Sequence, residues 1–269
     1  MRRPAAWGVR ATLLSTLLTT LLATLLLVAL AAPGQAATYT LPPTGTDWDY
    51  QLGGNRPVPD HVGIVERDRL AKPLAGKYNV CYVNGFQTQA DQKRFWHRHH
   101  WSLVLKDGGK PVVDSVWGEW LLDTRTHVKR AALAKIMAKW TQKCADDGFD
   151  AVEYDNLDSF SRSHHLLTKK DNRKYAALLV SAAHDAGLAA AQKNWAEWDG
   201  TTVGYDFAVA EQCAQYSECS SYVDYYDSEV LAVEYRDKPF QKACAKWADT
   251  FAVLRRDVSL TRHGVRRWC

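Results

Sequence analysis

Residues 148–160 read GFDAVEYDNLDSF, in which a glycine and a short apolar pair lead into a dense group of acids. The apolar pair predicts a buried strand, and because successive strand side chains point to opposite faces, Glu153 and Asp155 share one face. With Asp158, three carboxylates fall within six residues. Burying such a group is unfavourable unless the carboxylates are solvated, paired or needed for function. Neighbouring carboxylates push each other's pKa values apart, as acid–base chemistry requires. The segment predicts a strand that ends at a functional site; the plainer alternative is an acidic turn with a helix N-cap.

Amphipathic helices are predicted on both sides of this strand, over 126–146 and 170–186. Their apolar faces are Leu133, Ile136, Met137 and Trp140 in the first helix, and Tyr175, Leu178, Leu179 and Ala182 in the second. Each helix ends near a glycine, Gly148 or Gly187, as a helix C-cap favours. The chain therefore alternates helix, strand and helix around the acidic segment.

The same alternation of short apolar strands and helices runs through the rest of the chain. Strands are predicted at Trp48–Leu52, Val62–Val65, Asn79–Asn84, Trp120–Asp123, Ala151–Asn156, Leu188–Asn194, Asp206–Glu211 and Val230–Tyr235, with Val258–Leu260 a possible ninth. Asp107-Gly108-Gly109 between apolar runs predicts a surface hairpin over Leu103–Val113. Eight strand–helix repeats predict an α/β fold, a (β/α)8 TIM-type barrel.

The first 36 residues have the pattern of a secretory signal peptide. Three arginines precede an apolar run over Leu13–Ala32, and Gly34-Gln35-Ala36 is a small-x-small cleavage site. The alternative is an uncleaved anchor helix, because the run is long enough to span a bilayer. We expect a signal peptide at 1–36, a single barrel domain at 37–269, secretion, and no stable membrane association after cleavage. Loss of three arginines and no acids lowers the formal net charge from +4 to +1, which disfavours a nucleic-acid partner.

All six cysteines lie after the predicted signal peptide, and an even number in an exported chain indicates disulfides. Six cysteines allow fifteen pairings, so the sequence alone leaves the connectivity open. Cys213 and Cys219 are close enough to close one loop directly after a predicted strand. Cys244 and Cys269 are candidates to tie the last residue to a helix, and Cys81 and Cys144 then remain by elimination.

In a TIM-type barrel the active site lies where strands end and loops begin. Polar residues stand at seven predicted strand ends: Gln51; Tyr82 and Asn84; Glu119 and Asp123; Glu153, Asp155, Asn156 and Asp158; Lys193 and Asn194; Glu211 and Gln212; Glu234 and Tyr235. Any one of them is typical of a solvated loop, but seven that converge on one mouth indicate a site. Tryptophans lie near the same ends: Trp48, Trp117, Trp195 and Trp198. Indole faces stack on pyranose rings, so these predict a sugar site, with packing beneath loops the alternative for each.

A resemblance to a known family is carried by seven motifs in a fixed order: WDYQLGG, VCYVNGFQTQ, WGEWLLDTR, GFDAVEYDNLDSF, AQKN, FAVAEQC and VEY. From Trp48 to Cys269 the chain resembles glycoside hydrolase family 114, the endo-α-1,4-polygalactosaminidases, which have a barrel fold. The resemblance implies cleavage of α-1,4-linked galactosamine polymers, with the DNxD aspartate and the EQC glutamate as the catalytic pair. These are Asp155 and Glu211 here. The chain departs from the family at Gln87-Thr88-Gln89, where many members have an acid.

Glycosidic cleavage uses two carboxylates, one of which keeps a proton for the leaving oxygen. We assign Asp155 as nucleophile and Glu211 as general acid/base. The other acids of the mouth would attract the ammonium groups of a cationic aminosugar polysaccharide; they are Glu119, Asp123, Glu153, Asp158 and Glu234. Lys193 would neutralise one of these acids or donate to a sugar hydroxyl.

No cofactor and no metal are expected, because His97 and His100 have no third ligand at a recognisable spacing. A monomer is expected. Two other functions stay open at this point: a non-catalytic, secreted aminosugar-polymer-binding protein on the same barrel, and a glycosidase for another polysaccharide, since a fold does not fix its substrate.

Overall fold

The computed structural model describes residues 38–269, so the predicted signal peptide lies outside the described residues. Eight parallel strands follow one another in chain order, each hydrogen-bonded to the next. They are β1 Asp47–Tyr50, β2 Val62–Asp68, β3 Tyr78–Asn84, β4 Ala151–Asp155, β5 Ala189–Lys193, β6 Phe207–Glu211, β7 Val230–Glu234 and β8 Ala252–Arg256. A ninth strand, β9 Arg266–Trp268, pairs antiparallel with β8. The predicted TIM-type barrel is confirmed.

The barrel nearly closes between its first and last parallel strands, where β8 packs against β1. Just beyond those strands, Gly53 forms a parallel bridge with Thr261. Side chains from alternate strand positions fill the interior with an apolar core, and these include Trp48, Ile64, Val80, Phe207, Val209, Leu231, Val233 and Leu254. Parallel strands covered on both faces need such continuous apolar runs.

Six α-helices lie in the connections after β3, β4, β6 and β7: α1 Lys93–His99, α2 His127–Asp147, α3 Lys169–Asp185, α4 Cys213–Tyr216, α5 Cys219–Tyr226 and α6 Asp237–Trp247. Short 3-10 turns are Ala90–Gln92, Trp101–Leu103, Ser159–Arg162 and Gly200–Val203. Within the described residues, the β1–β2, β2–β3 and β5–β6 connections contain no α-helix. Fewer connections therefore contain an α-helix than eight strand–helix repeats would give.

The two predicted long helices are present, and their ends follow from capping. The Thr126 hydroxyl accepts from the Lys129 N–H at the start of α2, and Gly148 ends that helix with a left-handed φ of 94°. The α3 N-terminus has a capping box between Thr168 and Asp171. The predicted apolar face of α3 is rotated in part, because Ala176, Val180 and Ala183 are buried whereas Leu178 is exposed.

Two predicted strands are wrong. The segment Trp120–Asp123 does not enter the barrel; its first residue belongs to a hairpin that pairs Val113–Asp114 with Glu119–Trp120. Val258–Leu260 lies in a loop, and the last parallel strand is instead the preceding Ala252–Arg256. The predicted hairpin around Asp107-Gly108-Gly109 is confirmed, since Lys106–Asp107 pairs with Lys110–Pro111.

Three disulfides join the cysteines in the pairs that the sequence favoured. Cys81–Cys144 ties β3 to α2, Cys213–Cys219 links the starts of α4 and α5, and Cys244–Cys269 fixes the last residue to α6. No cysteine of the described chain is free. Within residues 38–269, no helix combines the length and apolar character needed to cross a bilayer.

Candidate active site

A cleft of about 690 Å³ opens at the carboxyl ends of the barrel strands. Six acids line it: Asp68, Asp114, Glu119, Asp155, Asp158 and Glu211. Among the lining residues of the described chain, Arg162 is the one cation. Apolar and aromatic side chains complete the walls, namely Tyr50, Leu52, Tyr82, Val116, Trp117, Tyr216, Val258 and Leu260. The cleft is therefore acidic, with aromatic faces beside the acids.

Asp155 ends β4 at the floor of the cleft. Its Oδ2 accepts from the Tyr82 hydroxyl at 2.8 Å, and its Oδ1 accepts from the Asn156 N–H at 2.6 Å. Burial favours the neutral acid, but the charge of Lys193, with these hydrogen bonds, outweighs burial and holds the pKa of Asp155 below its ordinary value. Asp155 is therefore ionised at neutral pH.

Lys193, at the end of β5, connects the acids of the floor. Its Nζ lies 2.9 Å from Glu153 Oε1, 3.2 Å from Asp155 Oδ1 and 3.7 Å from Glu211 Oε2. Burial alone would lower the pKa of Lys193, but these carboxylates raise it well above its ordinary value. Because Lys193 contacts both Asp155 and Glu211, the distance from Asp155 Oδ1 to Glu211 Oε2 is at most about 7 Å.

Glu211 ends β6 and faces the same cleft, with a side chain that is 27% exposed. Its Oε2 accepts from Asn194 Nδ2 at 3.0 Å, and its Oε1 accepts from the Tyr235 hydroxyl. The Glu211 N–H donates in turn to Asn194 Oδ1 at 2.8 Å. These contacts fix the carboxyl group while leaving part of it open to a bound molecule.

Three neighbouring strand ends leave the barrel through left-handed residues that are not glycine. Asn156 follows β4 with φ 68°, Asn194 follows β5 with φ 54°, and Gln212 follows β6 with φ 60°. Such conformations are unfavourable for a residue with a side chain and persist where surrounding contacts impose them. Here they turn the chain directly after Asp155 and Glu211, which aims both carboxyl groups into the cleft.

The outer part of the cleft holds further acids. Glu119 Oε2 accepts from Asn84 Nδ2 at 2.8 Å, and burial raises the pKa of Glu119 to about 7, an effect that this hydrogen bond opposes. Arg162 bridges Asp114 and Asp158, each at 2.9 Å. This wall therefore carries net negative charge that grows as the pH rises through neutrality.

The structure brings most of the predicted site residues together. Eight line the cleft: Tyr82, Glu119, Asp155, Asn156, Asp158, Asn194, Glu211 and Gln212. Four lie directly behind it and contact lining side chains: Asn84, Glu153, Lys193 and Tyr235.

Four predicted residues are not in the cleft, which corrects their expected contact with substrate. Trp48 is fully buried in the barrel, where its Nε1–H donates to the Ala232 carbonyl. Gln51 donates to Asp49 and accepts from Arg67. Asp123 is buried in ion pairs with Arg125 and Lys129, and Glu234 accepts from the Ala214 N–H at the start of α4. A polar strand end can equally serve a neighbouring loop or helix.

Only one of the four tryptophans near the strand ends reaches the cleft. Trp117 is half exposed and lines it, whereas Trp195 and Trp198 are buried in the layer between strands and helices. For the buried tryptophans the packing alternative is the correct one.

Several residues of the cleft were not predicted from the sequence. Asp68 was overlooked because β2 was predicted to end at Val65, although its three additional residues carry this acid to the strand end. Gln89 donates to Asp68 at 2.6 Å. Arg162 is four residues after Asp158, a spacing that could have indicated the ion pair.

Comparisons with known proteins agree with this geometry. The chain is similar to Aspergillus fumigatus Ega3, solved in complex with galactosamine, at 21% identity and a TM-score of 0.71, covering 88% of this chain and 100% of that one. It is also similar to the glycoside hydrolase domain of PelA from Pseudomonas aeruginosa, variant E218A, at 14% identity and a TM-score of 0.57, covering 81% and 97% of the two chains. At these identities the likenesses establish the fold.

The comparison with curated proteins gave no match. The sequence profile of glycoside-hydrolase family GH114, in contrast, matches residues 28–269, nearly the whole chain. This match identifies the barrel with its acidic cleft as that of a glycoside hydrolase. The chain belongs to glycoside hydrolase family GH114.

Proposed function

We propose that the protein is a secreted endo-glycosidase that hydrolyses α-1,4-linked, galactosamine-containing polysaccharide. The observation that carries the proposal is the pair of carboxyl groups on one buried lysine: Asp155 and Glu211 both lie within 4 Å of Lys193 Nζ at the floor of an acidic cleft. The galactosamine bound to Ega3, a protein of the same fold, supports the sugar class.

In the proposed mechanism Asp155 attacks the anomeric carbon while Glu211 protonates the departing glycosidic oxygen. This forms a glycosyl-enzyme ester and frees the leaving sugar. Glu211, now a carboxylate, takes a proton from water, whose oxygen displaces Asp155 and restores both groups. Retaining pairs lie about 5–5.5 Å apart and inverting pairs about 6.5–9.5 Å. The upper limit of about 7 Å between Asp155 Oδ1 and Glu211 Oε2 includes the whole retaining range and only the lower end of the inverting range.

The charge of the cleft supports a cationic substrate. Among the described residues, six acids and one cation, Arg162, line the cleft, so free ammonium groups on a polysaccharide would be attracted. The half-exposed Trp117 offers an aromatic face to a sugar ring beside these acids.

The test is product release from partially deacetylated α-1,4 galactosaminogalactan, with β-linked chitosan as the control polymer. We expect short oligosaccharides from the first polymer and none from the second. Full N-acetylation should abolish cleavage, and added salt should weaken binding, because attraction between exposed charges is screened over about 10 Å at 0.1 M. Equal rates on acetylated and free polymer would assign the enzyme to another polysaccharide. Binding without cleavage would favour the non-catalytic alternative.

A further inference from the structure

A buried acid with no part in the proposed chemistry lies inside the barrel beneath the active site. Glu66, on β2, points inward two residues after the core residue Ile64 and is fully buried. An ionised carboxylate in such a place is very unfavourable unless it is paired and hydrogen-bonded. The charge state of Glu66 therefore has to be set by its neighbours.

Those neighbours offer Glu66 a carboxyl group and no other hydrogen-bonding donor. Neither oxygen of Glu66, nor Oε2 of Glu153, has an N–H or O–H partner among the described residues. Glu66 and Glu153 lie close enough for a proton on one carboxyl group to satisfy these unpartnered oxygens of both. Two carboxyl groups in contact cannot both ionise, so one proton must lie between them.

The partners of Glu153 decide which acid holds that proton. Glu153 Oε1 accepts from Lys193 Nζ at 2.9 Å and from the Tyr50 hydroxyl at 3.1 Å, both of which stabilise a carboxylate. Glu66 has no such donor. Burial, and next the Glu153 charge, raise the pKa of Glu66 well above its ordinary value. The proton therefore belongs to Glu66, and Glu153, whose pKa burial raises to about 7, is the anion above neutral pH.

This arrangement reaches the catalytic pair through Lys193. The titratable groups that face the cluster come from seven strands: Tyr50 of β1, Glu66 of β2, Tyr82 of β3, Glu153 and Asp155 of β4, Lys193 of β5, Glu211 of β6 and Tyr235 following β7. Because Glu153 is anionic, it balances part of the Lys193 charge and fixes the ammonium group. Lys193 is then held within reach of both Asp155 and Glu211.

We propose that Glu66 is a positioning residue of the active site: its buried carboxyl stays protonated and donates to Glu153, which keeps Glu153 as the anion that anchors Lys193 between Asp155 and Glu211. The catalytic part of this inference rests on the proposed function. The protonated state of Glu66 does not depend on it.

The first test compares two substitutions that separate hydrogen bonding from packing. Glu66→Gln keeps a donor for Glu153 without an ionisable group, so kcat should stay within about threefold of the unmodified enzyme. Glu66→Leu keeps the approximate volume but leaves Glu153 Oε2 without its donor. We expect kcat to fall about tenfold or more with little change in KM.

The pH profile distinguishes positioning from general loss of stability. Without its donor, Glu153 is neutralised more easily, and the Lys193 charge then acts undiminished on Asp155 and Glu211. The basic limb of the activity profile should move to lower pH in Glu66→Leu. Ile64→Ala, which creates a cavity on the same strand and the same inward face, should lower stability without moving the basic limb. An equal loss of kcat in the Gln and Leu variants would overturn the positioning role.

Infrared spectroscopy tests the proton itself, without activity and in variants expected to fold. About two pH units above neutrality, where Glu119 and Glu153, with pKa values of about 7, are ionised, the protein should still show the carbonyl band of a buried, protonated carboxylic acid. The band should persist in Glu119→Gln and disappear in Glu66→Gln. A spectrum unchanged by Glu66→Gln would overturn the inference even if the enzyme is fully active. If Glu66→Gln removes the band but the unmodified protein cleaves no polymer, Glu66 is protonated as proposed and the proposed function is rejected.

Discussion

Replacing Lys193 with methionine should destabilise the protein strongly at neutral pH and much less in acid. Lys193 is 1% exposed and Glu153 is fully buried. Lys193 Nζ lies 2.9 Å from Glu153 Oε1 and 3.2 Å from Asp155 Oδ1. Removing one partner of a buried ion pair costs about 3–5 kcal/mol, because it leaves an uncompensated charge. For a domain of this size the melting temperature should fall by about 6–20 °C.

The pH dependence identifies charge as the cause. Lys193 holds the pKa of Asp155 below that of the unfolded chain, so this stability is present above the unfolded pKa of about 3.9 and is lost as the pH falls through the lower folded value. The loss in Lys193→Met should therefore shrink as the carboxyl groups become protonated. The assay is urea unfolding at a series of pH values. Val209→Ala, which creates a cavity at the position paired with Lys193, should lower the free energy of unfolding by the same amount at every pH. A Lys193→Met loss that is likewise independent of pH would refute the electrostatic account.

Two further predictions concern the cleft and the disulfides. Burial raises the pKa of Glu119 to about 7, so affinity for an oligosaccharide with permanently charged quaternary ammonium groups, measured by calorimetry, should rise as the pH passes through neutrality, and Glu119→Gln should flatten that rise. An unaltered pH dependence would remove Glu119 from amine binding. Replacing Cys213 and Cys219 by serine opens a loop of 6 residues and should cost about 2 kcal/mol, whereas opening the 63-residue Cys81–Cys144 loop should cost about 4 kcal/mol. Turnover should nevertheless fall more in the first variant, because that disulfide adjoins Glu211; the opposite order in the two measurements would contradict this.

Much of the barrel could be predicted from the sequence, because its strands are short apolar runs between amphipathic helices. The central segment Ala151–Asp155 is the clearest case, since its inward acids interrupt an otherwise buried strand. The last strand was misplaced because Ala252–Arg256 ends in two arginines that resemble a loop. One of them, Arg256, is buried by an ion pair with Asp49, more than 200 residues away in the chain. A tertiary contact of this kind has no local signal.

The roles of the strand-end acids were harder to predict than their positions. Asp155 and Glu234 both end parallel strands, yet one faces the cleft and the other accepts from the first turn of α4. Asp123 follows the second hairpin and forms ion pairs with Arg125 and Lys129, which come shortly after it in the sequence. Sequence spacing identifies which acids are near the mouth. Which of them remain free for substrate depends on the basic and amide groups that the fold brings to each.

The proposed catalytic pair is tested most directly by trapping the glycosyl-enzyme. Incubation with a fluorinated, activated α-galactosaminide should add one sugar to the protein, and peptide mass spectrometry should locate it on Asp155. Asp155→Asn should remain folded and unlabelled, whereas Glu211→Gln should still accept the label because an activated leaving group needs little protonation. A label on Glu153, Asp158 or Glu211, or near-normal polymer cleavage by a folded Asp155→Asn protein, would contradict the assignment.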